Sequence, residues 1–243
     1  MLIEIIFYFL LFLVAFLYSS VGHGGASGYL ALMTFFSFAP ETMRPTALML
    51  NIFVSLIAFI QYYRSGHFRW QLFWPFAIAS IPAAFIGGLI VVDATIYKPI
   101  LGALLLFPVV RLAGVKFNTE KTRKEQTLFA SLLIGATIGF FSGMIGIGGG
   151  IILSPVILLL HWANMKQTAA VSALFILANS FAGLAGLFTK GFDFRTEMVW
   201  MIVIAFSGGL AGSYLGSKKL NTTFLKKLLA MVLLMASIKL LFA

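Results

Sequence analysis

The chain has 243 residues, of which 61% are hydrophobic and only 10% charged, and its formal net charge is +10. A soluble domain is about half apolar and about a quarter charged, so this composition excludes a single water-facing globule and predicts an integral membrane protein. The positive charge fits the cytoplasmic loops of such a protein better than nucleic-acid binding, because no basic stripe accompanies soluble structure.

Apolar segments divide the chain into candidate membrane helices, each of which needs about 20 residues to cross the hydrocarbon core. The first run, 5–18, follows Glu4 rather than a basic stretch, so we interpret it as a retained membrane segment and not as a signal peptide. Longer candidates follow at 45–63, 70–92, 94–110, 128–145, 168–189, 198–216 and 224–242. Two segments, 29–39 and 151–163, are too short to span a bilayer.

Each short segment comes directly after a glycine-rich motif. The first motif is SSVGHGGAS at 19–27 and the second is SGMIGIGGGI at 142–151, and both contain a G-x-G-G core. Successive glycines favour a break in a helix, because glycine adopts positive φ without steric cost. The helix that starts after such a break presents N–H donors and a partial positive charge, which together form an anion site without a charged side chain.

The length of the short segments predicts where these breaks lie. A helix of about 11–13 residues covers roughly 16–20 Å of a hydrocarbon core about 30 Å thick. If its outer end reaches the membrane surface, its N terminus stops inside the membrane. Two such segments, inserted from opposite sides, would bring both glycine motifs toward the centre. Paired, glycine-interrupted short segments of this kind indicate a transporter binding site.

The order of segments in the first half recurs in the second. The turn ETMRPTA at 41–47 corresponds to NMKQTAA at 164–170, which pairs Arg44 with Lys166 and Thr46 with Thr168. We therefore predict an all-α fold with repeats at 1–112 and 127–243 and a cytoplasmic linker at 113–126, giving about 8–10 membrane segments in total. About five segments per half is an odd number, so the second repeat is predicted to insert with inverted topology.

The distribution of charges predicts the orientation. With alternating sides, most Lys and Arg residues lie on the side that carries the linker. Cytoplasmic loops are enriched in these residues, so we predict that this side is cytoplasmic and that both termini are extracytoplasmic.

The candidate substrate-binding residues are polar and small positions of the two motifs, with polar positions on the long helices that follow them. The first motif contributes Ser20, Gly22, His23, Gly24, Gly25, Ala26 and Ser27, and the second contributes Ser142, Gly146, Gly148, Gly149 and Gly150. The long helices contribute Thr46, Asn51, Thr168 and Ser172. Side chains of this last kind either line a cavity or bond back to their own helix.

Three basic residues are candidates for proton coupling, or for gating and the attraction of an anion. His23 is the one ionisable residue inside either motif, and the ordinary pKa of histidine lies near physiological pH, which suits proton coupling. The alternative is a neutral histidine that hydrogen-bonds to backbone. Arg44 and Lys166 begin the third segment of each half on opposite faces, where they either attract an anion or snorkel to the interface.

Catalytic patterns are missing from the sequence. It contains no H-E-x-x-H motif, no G-x-S-x-G motif and no phosphate loop that ends in GK[ST]. It also contains no cysteine, which excludes disulfides, thiol nucleophiles and cysteine–metal sites. We therefore expect a protein that is not an enzyme and that needs no metal or cofactor. The sequence gives no indication of the number of subunits in the protein.

These features together resemble the TauE/SafE family of membrane transporters, formerly called DUF81. The resemblance covers essentially the whole chain and rests on GMIGIGGG at 143–150, SSVGHGGA at 19–26, the Met-Lys-x-Thr-Ala turn at 165–169 and SGGLAGSYLGSKK at 207–219. It implies a secondary transporter, often an exporter, of sulfite, thiosulfate or sulfonates in the bacterial inner membrane. The residues alone indicate a small anion held by backbone. The alternatives are a transporter of another small anion, such as a carboxylate, and a non-transporting membrane scaffold or assembly protein.

Overall fold

The described part of the chain is helical and contains no strand. A computed structural model describes residues 2–20, 22–112, 124–189, 191, 196–218, 231, 233–235 and 237–242. Its helices are α1 (Leu2–Ser19), α2 (Ala26–Phe35), α3 (Pro40–Arg64), α4 (Trp70–Leu89), α5 (Ala94–Leu112), α6 (Leu128–Ile145), α7 (Gly150–Leu159), α8 (Met165–Phe188) and α9 (Thr196–Lys218). Helical residues recur between 231 and 241. The all-α prediction is confirmed.

Five of these helices are long and apolar enough to cross a membrane: α3, α4, α6, α8 and α9. In the other four the apolar stretch is shorter, at Ile3–Ser19, Ala26–Phe35, Thr95–Leu106 and Gly150–Leu159. This set supports a multi-pass membrane protein. The number of spanning segments, the inverted insertion of the second half and the division into two repeats stay predictions. Most of the predicted linker, and most of the predicted segment 224–242, lie outside the described residues.

Two long helices begin earlier than the hydropathy indicates. Helix α3 starts at Pro40, because a proline is tolerated in the first turn, where its missing N–H would have no partner. Helix α8 starts at Met165 after a capping box, in which Asn164 accepts from the backbone of Gln167 and the Gln167 side chain accepts from the backbone of Asn164. Both starts depend on capping chemistry and not on apolar residues.

The two short helices follow the glycine motifs, as predicted. Helices α2 and α7 have 10 residues each. Their N-cap residues, Gly25 (φ 101°) and Gly149 (φ 75°), have left-handed backbone conformations that favour glycine. Soon after each helix ends, Ser37 (φ 58°) and His161 (φ 57°) also have positive φ. Each short helix is therefore enclosed by two sharp turns.

Glycines allow α4 and α6 to pack backbone against backbone. A Cβ atom added at three positions of α6, spaced four residues apart, would collide with carbonyl oxygens of α4. These contacts pair Gly135 with Phe76, Gly139 with Ser80 and Gly143 with Ala84. Both sets of residues advance in the same direction, so the two helices are parallel and begin at the same side of the protein.

The contacts between helices are symmetric under exchange of the two halves. Helix α1 packs on α9, and its counterpart α6 packs on α4. Helix α3 contacts α8 and α9, while α8 contacts α3 and α4. This pattern is the one expected of the two repeats, which stay a prediction. We call the place where α3 and α8 contact each other the crossing of α3 and α8. The crossing of α3 and α8 is where the polar residues described below are found.

We expect Gly139→Leu to destabilise the protein by roughly 1–3 kcal/mol or more, because the new side chain must displace the backbone of α4. The matched control is Thr137→Leu, which places the same side chain on an exposed position of the same helix. Thermal unfolding of the two variants in detergent measures the difference. Equal unfolding temperatures would show that close approach of α4 and α6 does not matter for stability.

Candidate functional site

Both glycine motifs are buried. Every described residue from Ser19 to Ser27 and from Ser142 to Ile151 is buried. The chain leaves helical geometry at these places, and such backbone is tolerated at membrane depth only when protein or a water cavity surrounds it. The structure therefore encloses the two helix breaks in protein.

The two motifs meet at the crossing of α3 and α8. A Cβ atom added at Gly24 would lie 2.5 Å from Asn51 Oδ1 and 2.9 Å from Ile176 Cγ2. One added at Gly148 would touch Asn51 Nδ2 and would again lie 2.9 Å from Ile176 Cγ2. The amide group of Asn51 thus lies between a glycine of the first motif and a glycine of the second. Each of these glycines leaves room that a side chain would fill.

The two ends of the Asn51 amide have different partners. Oδ1 accepts a hydrogen bond of 3.1 Å from the backbone N–H of Ala26, the first residue of α2. This bond satisfies one of the N–H groups that have no partner within the helix. Nδ2 has no hydrogen-bond partner among the described residues. Asn51 therefore stabilises the first break and presents a donor beside the second.

Further buried polar atoms surround this donor. Ser180 Oγ has no partner among the described residues, and it would lie 3.2 Å from a Cβ atom added at Gly148. An unsatisfied buried polar group costs about 1–3 kcal/mol, so a cluster of them is a place where a polar ligand would bind favourably. Buried side-chain atoms without a hydrogen-bond partner among the described residues also occur on the helices that form the crossing or end at it, in Ser55, Ser142, Thr168 and Asn179.

A chain of hydrogen bonds connects His23 to the second half. His23 Nε2 lies 2.9 Å from Ser154 Oγ on α7, and Ser154 Oγ lies 2.7 Å from Ser172 Oγ on α8. Ser154 Oγ donates to the carbonyl of Gly150 at 2.9 Å. A hydroxyl has one proton, so the same oxygen accepts from the other two groups. Proton coupling by His23 and the alternative of a neutral histidine bonded to backbone both stay predictions.

Two tyrosines hold the first motif in place. The hydroxyl of Tyr29 donates to the carbonyl of Gly24 at 2.7 Å. The hydroxyl of Tyr18 lies 2.7 Å from Ser27 Oγ. Neither tyrosine was a predicted site residue, although both flank the motif in the sequence. Their bonds fix the backbone turn and occupy the Ser27 hydroxyl.

Some predicted site residues bond to their own helix. Ser20 Oγ donates to the carbonyl of Leu17 at 2.7 Å, and Thr46 Oγ1 donates to that of Thr42 at 2.6 Å. Local bonds of this kind need no ligand. The remaining predicted positions are buried around the two motifs, and their role in binding stays a prediction. These are Gly22, Gly25, Ala26, Ser142, Gly146, Gly149, Gly150, Thr168 and Ser172.

Arg44 and Lys166 occupy different environments. Arg44 is buried, and its guanidinium donates to the carbonyls of Gly87, Gly88 and Ile90 at the end of α4 and of Gly143 in α6. A cation at a helix C terminus satisfies carbonyls that have no partner within the helix and opposes the negative end of its dipole. Lys166 is exposed in the first turn of α8. Attraction of an anion by either residue stays a prediction.

The contacts also change the correspondence of these positions between the halves. Gly22 lies against Ala169, and its counterpart Gly146 lies against Arg44. In space, Arg44 therefore takes the place of Ala169 and not that of Lys166. The spatial pairing of the two predicted repeats would then differ from the pairing of the two polar turns by three residues, nearly one helical turn.

Within the described residues, no group of three or more His, Asp or Glu side chains is arranged to hold a metal ion. The features that stand out are apolar membrane helices, two helix breaks buried at one place and a cluster of neutral hydrogen-bond donors between them. Broken helices that meet around a buried polar site are typical of membrane transporters.

Comparison with known proteins supports this class and gives the family. The family described as Sulfite exporter TauE/SafE matches residues 7–240, so the chain belongs to this family. The chain is 36% identical over 234 residues, 95% of either chain, to the probable membrane transporter protein y4hK of Sinorhizobium fredii. It is 27% identical to the probable membrane transporter protein MJ0441 of Methanocaldococcus jannaschii, over 73% of this chain and 70% of that protein. It is 24% identical to the probable membrane transporter protein YdhB of Bacillus subtilis, over 87% of this chain and 88% of that protein. No solved structure matches.

We expect Gly148→Ala to destabilise the protein more than Gly66→Ala does. Both glycines have positive φ, 71° and 72°, so both variants lose about 1–2 kcal/mol from left-handed strain. Only at Gly148 does the methyl group also displace the Asn51 amide, since nothing lies within 4 Å of the Cβ position at Gly66. Thermal unfolding in detergent measures both losses. Equal losses would contradict the close contact between Gly148 and Asn51.

Proposed function

We propose that this protein is a secondary transporter that carries a small sulfur-containing anion, such as sulfite, thiosulfate or a sulfonate, across the bacterial inner membrane. Its family is described as that of a sulfite exporter, and its relatives are named as probable membrane transporters. The observation that carries the proposal is the buried donor cluster of Asn51 and Ser180 between the two glycine motifs.

The chemistry of this cluster suits an oxyanion. Sulfite and sulfonate groups present three oxygens, and each oxygen accepts hydrogen bonds from more than one side. Asn51 Nδ2 and Ser180 Oγ supply neutral donors, and the N termini of α2 and α7 add partial positive charge. Hydrogen bonds to a charged acceptor are worth about 1.5–3 kcal/mol each, so a few of them would offset part of the cost of dehydrating a single small anion.

Transport requires that this site open to each side in turn. All described residues of both motifs are buried, so the site is closed in this structure. In the proposed cycle, one repeat rocks against the other around the crossing of α3 and α8. The linker side is cytoplasmic in this proposal, and both termini are extracytoplasmic. The sequence has no nucleotide-binding motif, so an ion or substrate gradient supplies the energy.

His23 is the proposed site of proton coupling. It lies in the first motif and bonds through Ser154 to Ser172 in the second half. Protonation would turn both ring nitrogens into donors, which would change the hydrogen bonds that join the two halves and favour a bound anion. The proton would then travel with the anion.

We expect Ser180→Ala to reduce sulfite transport by about tenfold or more, because one donor to the charged substrate is lost. Folding should be nearly unaffected, since the hydroxyl has no partner among the described residues. Sulfite transport in reconstituted vesicles measures the effect, and acetate in place of sulfite tests for carboxylate transport.

The matched control is Ser80→Ala. This variant also removes a buried hydroxyl without a described partner, but Ser80 lies on α4 where that helix meets Gly139 of α6. Transport by Ser80→Ala should equal that of the wild type. Full activity of Ser180→Ala, or an equal loss in both variants, would overturn the assignment of the site. Faster transport of acetate than of sulfite would overturn the proposed substrate class.

A further inference from the structure

A cavity of about 510 Å³ lies at the end of the protein where the parallel helices α4 and α6 begin. Binding sites for small molecules usually have volumes of roughly 300–1,000 Å³, so this cavity is large enough to hold a small anion with its water. It lies on the linker side of the chain, away from the α3–α8 crossing. Its polar and aromatic lining includes Arg69, Trp74, Lys124, Glu125, Gln126 and Trp162.

The charge of the lining favours an anion. Arg69 and Lys124 are cationic, and Glu125 is the one carboxylate in the lining that the structure describes. The guanidinium of an arginine is charged at every physiological pH. The side chain of Gln126 donates to the carbonyl of Leu72 at 3.2 Å, which holds this end of the linker against α4. Arg69, just before α4, and Lys124, at the end of the linker, therefore lie on segments that this hydrogen bond joins.

Aromatic side chains separate this cavity from the central site. The ring of Trp162 in the cavity wall lies 6.0 Å from that of Phe76, and Phe76 lies 6.5 Å from Phe175. Phe175 in turn would lie 3.0 Å from a Cβ atom added at Gly149. These three neighbouring rings lie between the cavity and the second glycine motif, within one buried apolar cluster. An anion cannot cross this cluster until the rings move apart.

We propose that the cavity is a second, peripheral anion site, where Arg69 and Lys124 hold the substrate oxyanion before the barrier of Trp162, Phe76 and Phe175 opens. This inference rests on the proposed function. On this side of the membrane, the residues that attract the anion are then Arg69 and Lys124, which line the cavity, and not Lys166, which does not. A lipid headgroup with a net negative charge has the same charge chemistry as the free oxyanion, so the experiment must separate the two.

The first experiment compares sulfite transport by the wild type and by the double variant Arg69→Gln/Lys124→Gln in vesicles of phosphatidylcholine alone. The KM measured from the linker side should rise by about three- to tenfold, because local concentration of the anion is lost, while the maximal rate stays within about twofold. The KM from the other side should not change. The difference should shrink as salt is raised toward 1 M, where the screening length is only about 3 Å.

The matched controls are Arg64→Gln and Lys166→Gln. Each removes one exposed cation that does not line the cavity. Unchanged KM for both controls supports the proposal. An unchanged KM for the double variant, or an equal rise in either control, overturns it. A rise that appears only after anionic lipid is added to the vesicles also overturns it, because the cavity would then bind a lipid headgroup.

The second experiment measures binding without transport. The chain has four tryptophans, and with Trp70 and Trp200 replaced by phenylalanine the two that remain, Trp74 and Trp162, both line the cavity. Titration with sulfite should change their fluorescence in this background and also when Ser180→Ala is added. The change should be lost with Arg69→Gln/Lys124→Gln. If the wild type carries no sulfite, the proposed function fails and this titration alone decides whether the peripheral site exists.

Discussion

The structure depends on one constraint, which is that backbone leaving helical geometry inside an apolar protein must still satisfy its N–H and C=O groups. In a bilayer, water does not perform this task, and each unsatisfied group costs several kcal/mol in hydrocarbon. The two glycine motifs are such places. Asn51 accepts from the N–H of Ala26 and Tyr29 donates to the carbonyl of Gly24, so side chains replace the missing helical bonds. The break is possible because these side chains are placed around it.

This requirement also explains the close packing elsewhere. Side chains reach a broken backbone only if the helices that carry them approach closely, and glycines at the α4–α6 contact permit that approach. Arg44 performs the same task at the end of α4, where it donates to three carbonyls that follow one another closely in the chain. A cation in the interior therefore stabilises a helix end here.

The sequence predicts the backbone of this protein better than it predicts the partners of its side chains. Glycine runs and short apolar segments are local signals, and they locate α2 and α7 correctly because helix breaking depends on a few adjacent residues. Asn51 was a predicted site residue because a polar position on a long apolar helix is also visible in the sequence alone. Ser154 was missed, although it bonds to His23, because the two lie 131 residues apart and only the packed fold joins them. The environment of Arg44 was missed for the same reason, because its carbonyl partners lie 43 to 99 residues further along the chain.

The two predicted repeats bring different side chains to the α3–α8 crossing. Glycines of both motifs lie against Asn51 from the first half and Ile176 from the second, so equivalent places around the crossing carry one polar and one apolar side chain. His23 in the first motif corresponds to Ile147 in the second in the same sense. In the proposed binding site, the two glycine breaks would contribute helix N termini and space. The two donors of the proposed site come one from each half and differ in kind, the amide of Asn51 and the hydroxyl of Ser180, so an anion bound between them would experience different partners on its two sides. A site of that kind can have two similar helix breaks while an amide on one side and a hydroxyl on the other select its ligand.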